Sequence, residues 1–207
     1  MKRVLIKDTD RAMQYGLWKD AIMPMVTVGR VFDITHLVRL SKKTGMKLNM
    51  LMCYCVGMAF KDIPEFFQIV DKDSFMVYDS AAIQVIVQTK GGIRFCDVPF
   101  DEDIRQFERL YQTRTRLVME RGEHLLCGDS TVLATSAVVQ TPMDSLCNQY
   151  SGFNFPFLCW GRYRKNFFGR CRVQLFLQFH HVQMDGSHMA VFFNNFQSMA
   201  KNLKVAK

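Results

Sequence analysis

The sequence predicts an α+β sandwich, in which helices pack on one face of a β-sheet. Apolar residues recur every three or four positions in three segments, as in amphipathic helices. Runs of Val, Ile, Phe and Thr between them are typical of strands. The chain has 207 residues, 49% of them hydrophobic and 22% charged, so its core can carry the fold without disulfides or a structural metal. Because no repeat or linker divides it, we expect one domain over residues 1–207.

Five helices are predicted along the chain. Residues 48–60 carry one broad apolar stripe, which should lie against the sheet. Residues 103–118 and 187–203 repeat this spacing, and Ser187 is the expected N-cap of the last helix. Shorter helices are predicted over residues 9–21 and 34–44. Strands are predicted over residues 27–32, 75–78, 83–88, 131–139, 155–160 and 171–180.

The strand over residues 171–180 shows the clearest alternation of apolar and polar positions. One of its faces should meet the core through Val173, Leu175, Leu177 and Phe179. Residues 160–171, which include Gly161 and Gly169, predict the turn of a β-hairpin whose second arm is this strand.

Composition excludes several classes of protein. No apolar run approaches the ~20 residues of a membrane-spanning helix, and the first ten residues do not resemble a signal peptide, so we expect a cytoplasmic protein. The seven cysteines form no C-x-x-C pair and are expected to be small core residues. A net charge of +8 suits a nucleic acid, an anionic membrane face or a phosphate-bearing ligand. The basic cluster between Arg162 and Arg172 fits a solvated hairpin as well as a phosphate site.

The segment over residues 179–189 is where chemistry is expected. His180 and His181 end a strand and would face opposite sides, and their spacing to Asp185 matches no common zinc pattern, so no metal site is predicted. Such histidines are by default hydrogen-bonded core groups. Their place where a strand meets a loop, and the ability of histidine to accept a proton near neutral pH, favour a general base instead.

The run from His180 to Gly186 matches the H-H-x-x-x-D-G signature of coenzyme A-dependent acyltransferases, and with His188 it resembles the chloramphenicol acetyltransferase family. The histidine signature alone is shared with the catalytic cores of 2-oxo acid dehydrogenase complexes. More specific is a collinear set of motifs over nearly the whole chain: Phe32-Asp33-Ile34-Thr35, Pro64-Glu65-Phe66, Asp103-Ile104-Arg105-Gln106-Phe107 and Gly161-Arg162-Tyr163. The resemblance implies a mixed, largely antiparallel sheet, antibiotic resistance, and a homotrimer with active sites at subunit interfaces.

The resemblance also implies catalytic roles. His181 would be the general base, taking the proton of an acceptor hydroxyl as its oxygen attacks the thioester of acetyl-coenzyme A, which is a cosubstrate, with no bound cofactor. Ser136 would stabilise the oxyanion. An ordinary strand serine remains the alternative, because residues 138–140 depart from the family pattern.

Three further residues would organise the site. By the resemblance, Asp185 pairs with Arg11 through the two-donor fork of the guanidinium, and neither carries the proton. Gly186 would let the chain turn sharply into the last helix.

The resemblance assigns the remaining residues to the two substrates. Arg162 and Tyr163 would lie near the coenzyme, although residues of an exposed hairpin are also often merely solvated. Trp18 would form part of the acceptor pocket. There Cys159 replaces a threonine and Phe153 a tyrosine. Because a thiol is a weak hydrogen-bond donor, recognition of chloramphenicol itself would be weakened or redirected.

The resemblance therefore implies an O-acetyltransferase acting on chloramphenicol or a similar small alcohol. The main alternative is an acyltransferase of the same fold that uses another alcohol acceptor. The net charge is also compatible with a basic nucleic-acid-binding module. This class is less favoured, because the sequence contains no recognised nucleic-acid-binding motif. An inactive oligomeric homologue is disfavoured because His181, Ser136, Asp185 and Arg11 are all present. We expect neither nucleic acid nor membrane as a partner.

Overall fold

The computed structural model describes residues 1–150 and 152–205. Within them the strands are β1 Lys2–Leu5, β2 Met25–Asp33, β3 Gln68–Asp71, β4 Ser74–Val77, β5 Ala81–Thr89, β6 Gly92–Pro99, β7 Thr131–Val138, β8 Phe157–Gly161, β9 Arg164–Lys165 and β10 Cys171–His180. The α-helices are α1 Ala12–Trp18, α2 Thr35–Thr44, α3 Leu48–Phe60, α4 Ile104–Arg121 and α5 Gly186–Asn202. Short 3-10 helices cover Ile6–Asp8 and Pro64–Phe67.

The main sheet has the strand order β2-β10-β8-β7-β5-β6, and β9 pairs with β10 beside β8. Its ladders are antiparallel except for β5 with β7 and β7 with β8, which are parallel. Helices α2 to α5 pack on this sheet and on one another. The predicted α+β fold with a mixed, largely antiparallel sheet is therefore confirmed.

The helix α3 has the predicted bounds but is more deeply buried than expected. Its apolar residues were expected to form one stripe, yet the side chains from Met50 to Val56 are all buried. A helix that is apolar all round belongs in the interior, and α3 contacts α2, α4, α5 and β5. Burial raises the pKa of the Cys53 thiol to about 12 and also raises the pKa of Cys55, so both remain neutral core groups.

Strand β10 has the predicted bounds, and its predicted inward residues belong to the main core. The opposite face is not fully solvated, because Phe176, Gln178 and His180 are also buried. A segment between β7 and β8 lies over that face, as its hydrogen bond to Gln178 shows.

The elements that the sequence did not predict are short or polar. A second, three-stranded sheet has the order β1-β4-β3, and only β4 was expected. Strand β6 reads G-I-R-F-C-D-V-P, in which charge interrupts the apolar residues. None of the described helices has the length and apolar character needed to span a bilayer. The prediction of one domain includes residues 151, 206 and 207, which lie outside the described part of the chain.

Candidate active site

The candidate active site lies where β10 ends and the chain turns into α5. His180 is the last residue of β10, and the N–H of His181 donates to the carbonyl oxygen of Pro24 at 2.8 Å. The N–H groups of Gln183 and Met184 return to the carbonyl oxygen of His180 at 2.9 and 3.2 Å. Because both of these residues are fully buried, the turn is an ordered part of the interior.

One buried guanidinium holds this turn. Arg11 donates from Nε to the carbonyl oxygen of Val182 at 2.9 Å and from Nη2 to that of His181 at 3.0 Å. Its Nη1 donates to Oδ2 of Asp185 at 3.0 Å. The structure thus brings together the Arg11 and Asp185 side chains that the resemblance pairs. It adds two backbone contacts that fix the position of His181 itself.

Asp185 has a second task as the N-cap of α5. Its Oδ1 accepts from the N–H of Ser187 at 3.0 Å and from the Ser187 hydroxyl at 2.6 Å. Burial opposes ionisation of this carboxyl, but the hydrogen bonds from Ser187 and then from Arg11 outweigh it and lower its pKa. The expected N-cap, Ser187, is therefore wrong, because the Asp185 carboxylate caps the helix two residues earlier.

The structure does not require a glycine at the position of Gly186. Its φ lies outside the left-handed region, and a Cβ built on it would meet nothing within 4 Å. The expected sharp glycine turn into the helix is therefore wrong, since any residue can adopt this backbone in the chain as described.

His188 and Glu65 extend the network in a way that the sequence analysis did not assign. His188 Nδ1 accepts from the N–H of Asp185 at 3.2 Å, and its Nε2 lies 3.3 Å from Oε1 of Glu65. The side chain of Gln183 donates to the carbonyl oxygen of Glu65 at 2.8 Å. The spacing of three residues between Asp185 and His188 was a detectable signal, because it is that of a capping box.

The ring of His181 is held by Trp18. The two ring centroids are 4.6 Å apart with planes inclined by 18°, a stacked arrangement. Nδ1 of His181 is buried and has no hydrogen-bond partner among the described residues. Trp18 was expected in the wall of the acceptor pocket, and the structure shows that it also packs directly on His181. Arg11 and Trp18 stand before and at the end of the same short helix, so α1 holds both the backbone and the ring of His181.

His180 is unlike its neighbour. It is buried, and its Nδ1 accepts from the N–H of Val182 at 3.1 Å. Burial and then the nearby His181 lower the pKa of His180 to about 4, so its ring is neutral at pH 7. His180 is thus the hydrogen-bonded core histidine that the sequence analysis kept as an alternative. Residues 1–150 and 152–205 contain no group of three histidine, cysteine or acidic side chains placed to hold a metal ion.

Ser136 and Cys159 lie side by side on the parallel strands β7 and β8. Cys159 is buried, its sulfur lies 4.0 Å from the sulfur of Met143, and burial raises the pKa of its thiol. Ser136 is half-buried, and its side chain is hydrogen-bonded to the Cys159 thiol.

Ser136 and His181 do not meet within one chain. The ladder places Ser136 opposite Cys159, and Cys159 opposite Phe176 of β10. Four residues separate Phe176 from His180, about 13 Å along the strand, and two strand spacings add about 10 Å across the sheet. A single carbonyl carbon cannot contact both groups of the same chain.

The segment of residues 139–150 and 152–156 lies over the sheet beside these residues. Asn148 and Gln178 exchange hydrogen bonds of 2.9 and 3.1 Å. Thr141 O accepts from the N–H of Arg162 at 2.8 Å, and a Cβ at Gly161 would lie 2.7 Å from this segment's backbone. Glycine is therefore required at 161 by close approach of the segment. Phe153, expected in the acceptor pocket, is exposed and stacks on Phe155.

Arg162 and Tyr163 line a cleft of about 270 Å³ at the end of β8. Its other walls are largely apolar and come from β8, α3 and β10, including Trp160, Leu48 and Val173. The cleft begins at Trp160, one residue beyond Cys159 on β8. Cys159 is the residue of this strand that was expected in the pocket for the acceptor alcohol.

Known proteins share both the sequence pattern and the fold. The family model described as chloramphenicol acetyltransferase matches residues 1–197. A comparison with curated protein sequences gives no significant match. A structure of a chloramphenicol acetyltransferase superposes with a TM-score of 0.76 at 18% identity, covering 95% of this chain and 98% of that one.

Two structures from multienzyme complexes have the same fold. A truncated catalytic core of the 2-oxoacid dehydrogenase complex from Thermoplasma acidophilum gives a TM-score of 0.73 at 18% identity, covering 94% of each chain. The dihydrolipoamide acetyltransferase of Azotobacter vinelandii gives 0.68 at 15% identity, covering 93% of this chain and 89% of that one. Because the family match extends over nearly the whole sequence, the chain belongs to the chloramphenicol acetyltransferase family of acyltransferase enzymes.

Proposed function

We propose that the protein is an O-acetyltransferase that moves an acetyl group from acetyl-coenzyme A to a hydroxyl of chloramphenicol or a similar small molecule. The observation that carries the proposal is the fixation of His181, whose backbone is held by Arg11 and whose ring is held by Trp18. A general base must be aimed at one proton, and such fixation is what aiming requires.

The buried Nδ1 supports Nε2 as the nitrogen that acts as the base. Because Nδ1 of His181 faces the interior, Nε2 is the atom that takes the proton of the acceptor hydroxyl. The acceptor oxygen then bonds to the thioester carbonyl carbon, the carbon–sulfur bond breaks, and the proton passes from His181 to the leaving thiolate. Asp185 and Arg11 hold the turn and carry no proton.

The hydroxyl of Ser136 donates to the oxyanion of the tetrahedral intermediate. Because Ser136 and His181 are too far apart within one chain, the working site combines His181 of one copy with Ser136 of the next. A ring of three such head-to-tail contacts is a closed trimer. Large apolar side chains left exposed on and after α1 support a covered face there: Met13, Leu17, Ile22 and Met23.

The coenzyme occupies the cleft lined by Arg162 and Tyr163. The apolar walls suit the adenine and the pantetheine arm, and the guanidinium of Arg162 suits a phosphate. The cleft lies at the end of β8, so a thioester would pass from the face of the sheet that Trp160 lines to the face where Cys159 pairs with Ser136.

A second candidate is acyl transfer to a different alcohol. The observation that favours it is the environment of Cys159, whose buried, neutral thiol contacts Met143 where the family has a threonine. This wall is more apolar than a hydroxyl would make it, so an acceptor with less need for hydrogen bonds would fit better.

A thiol-release assay tests the activity. Purified protein, acetyl-coenzyme A and a chromogenic thiol reagent should give colour when chloramphenicol is added, and His181→Ala should abolish it. Release with other small alcohols but not with chloramphenicol would favour the second candidate. Absence of release with every alcohol would contradict the proposed function.

Subunit mixing tests the shared site. His181→Ala and Ser136→Ala are each expected to be nearly inactive, but dissociating and reassembling them together should restore part of the wild-type activity. Reassembly places an intact His181 against an intact Ser136 at some contacts. A mixture as inactive as its components would show that the two residues serve separate sites or no common reaction.

A further inference from the structure

Two phenylalanines project from the hairpin between β9 and β10. The side chains of Phe167 and Phe168 are 99% and 83% exposed, and their rings contact each other edge-on at 5.7 Å. An adjacent pair of large apolar side chains in water is unfavourable for an isolated chain and marks a surface that meets something else.

The hairpin that carries the pair is ordered. The N–H of Asn166 donates to the carbonyl oxygen of Arg170 at 2.9 Å, and the N–H of Gly169 donates back to that of Asn166 at 3.0 Å. The N–H of Arg170 also donates to Oδ1 of Asn166 at 2.9 Å. Gly169 has φ of +76°, which lets the chain turn here without strain. The aromatic rings are therefore presented on a preformed turn, and little order must be gained on binding.

Positive charge surrounds the base of the hairpin. A cavity of about 260 Å³ is lined in part by five exposed basic residues: Arg162, Arg164, Lys165, Arg170 and Arg172. Two carboxylates face them: Asp144 accepts two hydrogen bonds from Arg164, and Asp33 is close enough to Arg170 for that charge to help lower its pKa. The basic side chains outnumber the acidic ones, so the surface behind the phenylalanines is cationic.

The hairpin lies far from the turn around His181, although its base adjoins the cleft lined by Arg162 and Tyr163 that is proposed for the coenzyme. It joins the start of β10, whereas His181 follows the end of the same ten-residue strand. Ten residues of extended chain span about 33 Å, so a body bound at the hairpin would leave the turn around His181 uncovered.

We infer that the hairpin docks on the surface of an anionic lipid bilayer. Phe167 and Phe168 enter the interfacial layer, and Lys165, Arg170 and Arg172 contact lipid phosphates, whereas Arg162 is left to the coenzyme and Arg164 to Asp144. Two phenylalanines bury about 300–500 Å² together, well below the interface of a stable protein complex, so a bilayer suits this surface better than a second copy. The sequence analysis expected no membrane partner, and the inference departs from that expectation on the ground of the exposed aromatic pair.

Vesicle sedimentation tests the inference with the full chain. The protein should pellet with vesicles of phosphatidylserine and phosphatidylcholine and remain in solution with phosphatidylcholine alone. Replacing both aromatics, as Phe167→Ser with Phe168→Ser, should weaken binding by roughly tenfold or more, as should Lys165→Gln with Arg170→Gln.

Matched controls change the same chemistry elsewhere. Leu126→Ser removes another exposed apolar side chain, and Lys42→Gln with Lys43→Gln lowers the net charge equally on α2. Both controls should bind anionic vesicles like the wild type, and all variants should keep the wild-type melting temperature.

Several results would overturn the inference. These are absence of wild-type binding, equal binding to neutral vesicles, or unchanged binding after loss of the phenylalanines. Displacement by inorganic phosphate at the lipid concentration would indicate a small-anion site instead. A smaller assembly by light scattering for the phenylalanine variant without vesicles would show that the pair covers another copy of this chain.

Discussion

The two ends of β10 are built in opposite ways. After its last residue, the chain is held by side chains from distant segments: Arg11 grips three oxygens of the turn, and Trp18 packs on His181. Before its first residue, the hairpin is held mainly by its own backbone and leaves Phe167 and Phe168 in water. The turn after β10 therefore fixes the positions of individual atoms, whereas the hairpin before β10 presents an exposed surface. Substitutions should affect activity at the first end and contacts at the second.

The largest effect is expected at the constrained end. His181→Ala removes the proposed general base and should lower kcat on the order of 10²- to 10⁴-fold, while the melting temperature changes little. Steady-state thiol release measures it, with His124→Ala as the matched control because that exposed histidine lies outside the site. A variant that keeps a tenth of the activity would mean that another group takes the proton.

The second largest effect is expected at Arg11, whose guanidinium holds the turn around His181. Arg11→Lys keeps the positive charge but loses the planar fork that reaches three acceptors at once. We expect kcat to fall by about 10²-fold, as for a catalytic group displaced by about 1 Å, with little change in KM for acetyl-coenzyme A. Arg3→Lys is the control, since Arg3 pairs with Asp73 on the exposed surface. Equal losses from both variants would make the Arg11 contacts no different from a surface pair.

Low pH should destabilise the fold through protonation of Asp185, which holds the turn after β10. Its pKa is lower in the folded than in the unfolded chain, so its interactions stabilise the fold above about pH 3.9 and are lost as pH falls through the folded value. Urea unfolding at fixed protein concentration should show Asp185→Asn less stable than the wild type at neutral pH. The difference should shrink in acid. A difference that stays constant with pH would mean that the carboxylate charge contributes nothing.

The smallest effect on catalysis is expected at the hairpin that precedes β10. Replacing Phe167 and Phe168 together by serine should leave kcat within about twofold and the melting temperature within about 2 °C, because exposed side chains contribute little to stability. Thiol release and thermal unfolding without lipid measure both. A strong loss of turnover would show that the hairpin belongs to the catalytic region and would remove the contrast.

The sequence predicted those features that depend on residues close together in the chain. The bounds of α3 and β10 follow from the spacing of their apolar residues, and the position of His181 follows from a short motif. The stack of Trp18 on His181 was not predicted, because it joins residues far apart in the chain. The cap at Asp185 was missed because Ser187 has equal intrinsic preference, although the spacing of three residues between Asp185 and His188 is that of a capping box. Strand β6 was missed because its polar residues interrupt the β pattern.

The segment of residues 139–150 and 152–156 contains no helix or strand among its described residues and is attached through side chains such as Asn148 to Gln178, Asp144 to Arg164 and Asn154 to the backbone of Val70. Its length and composition are thus free to drift while the histidine and its supports stay unchanged. Under the proposed function, such an arrangement would let the acceptor pocket change while the turn around His181 stays the same. Exchanging this segment between relatives is the natural route to engineered variants with new acceptors.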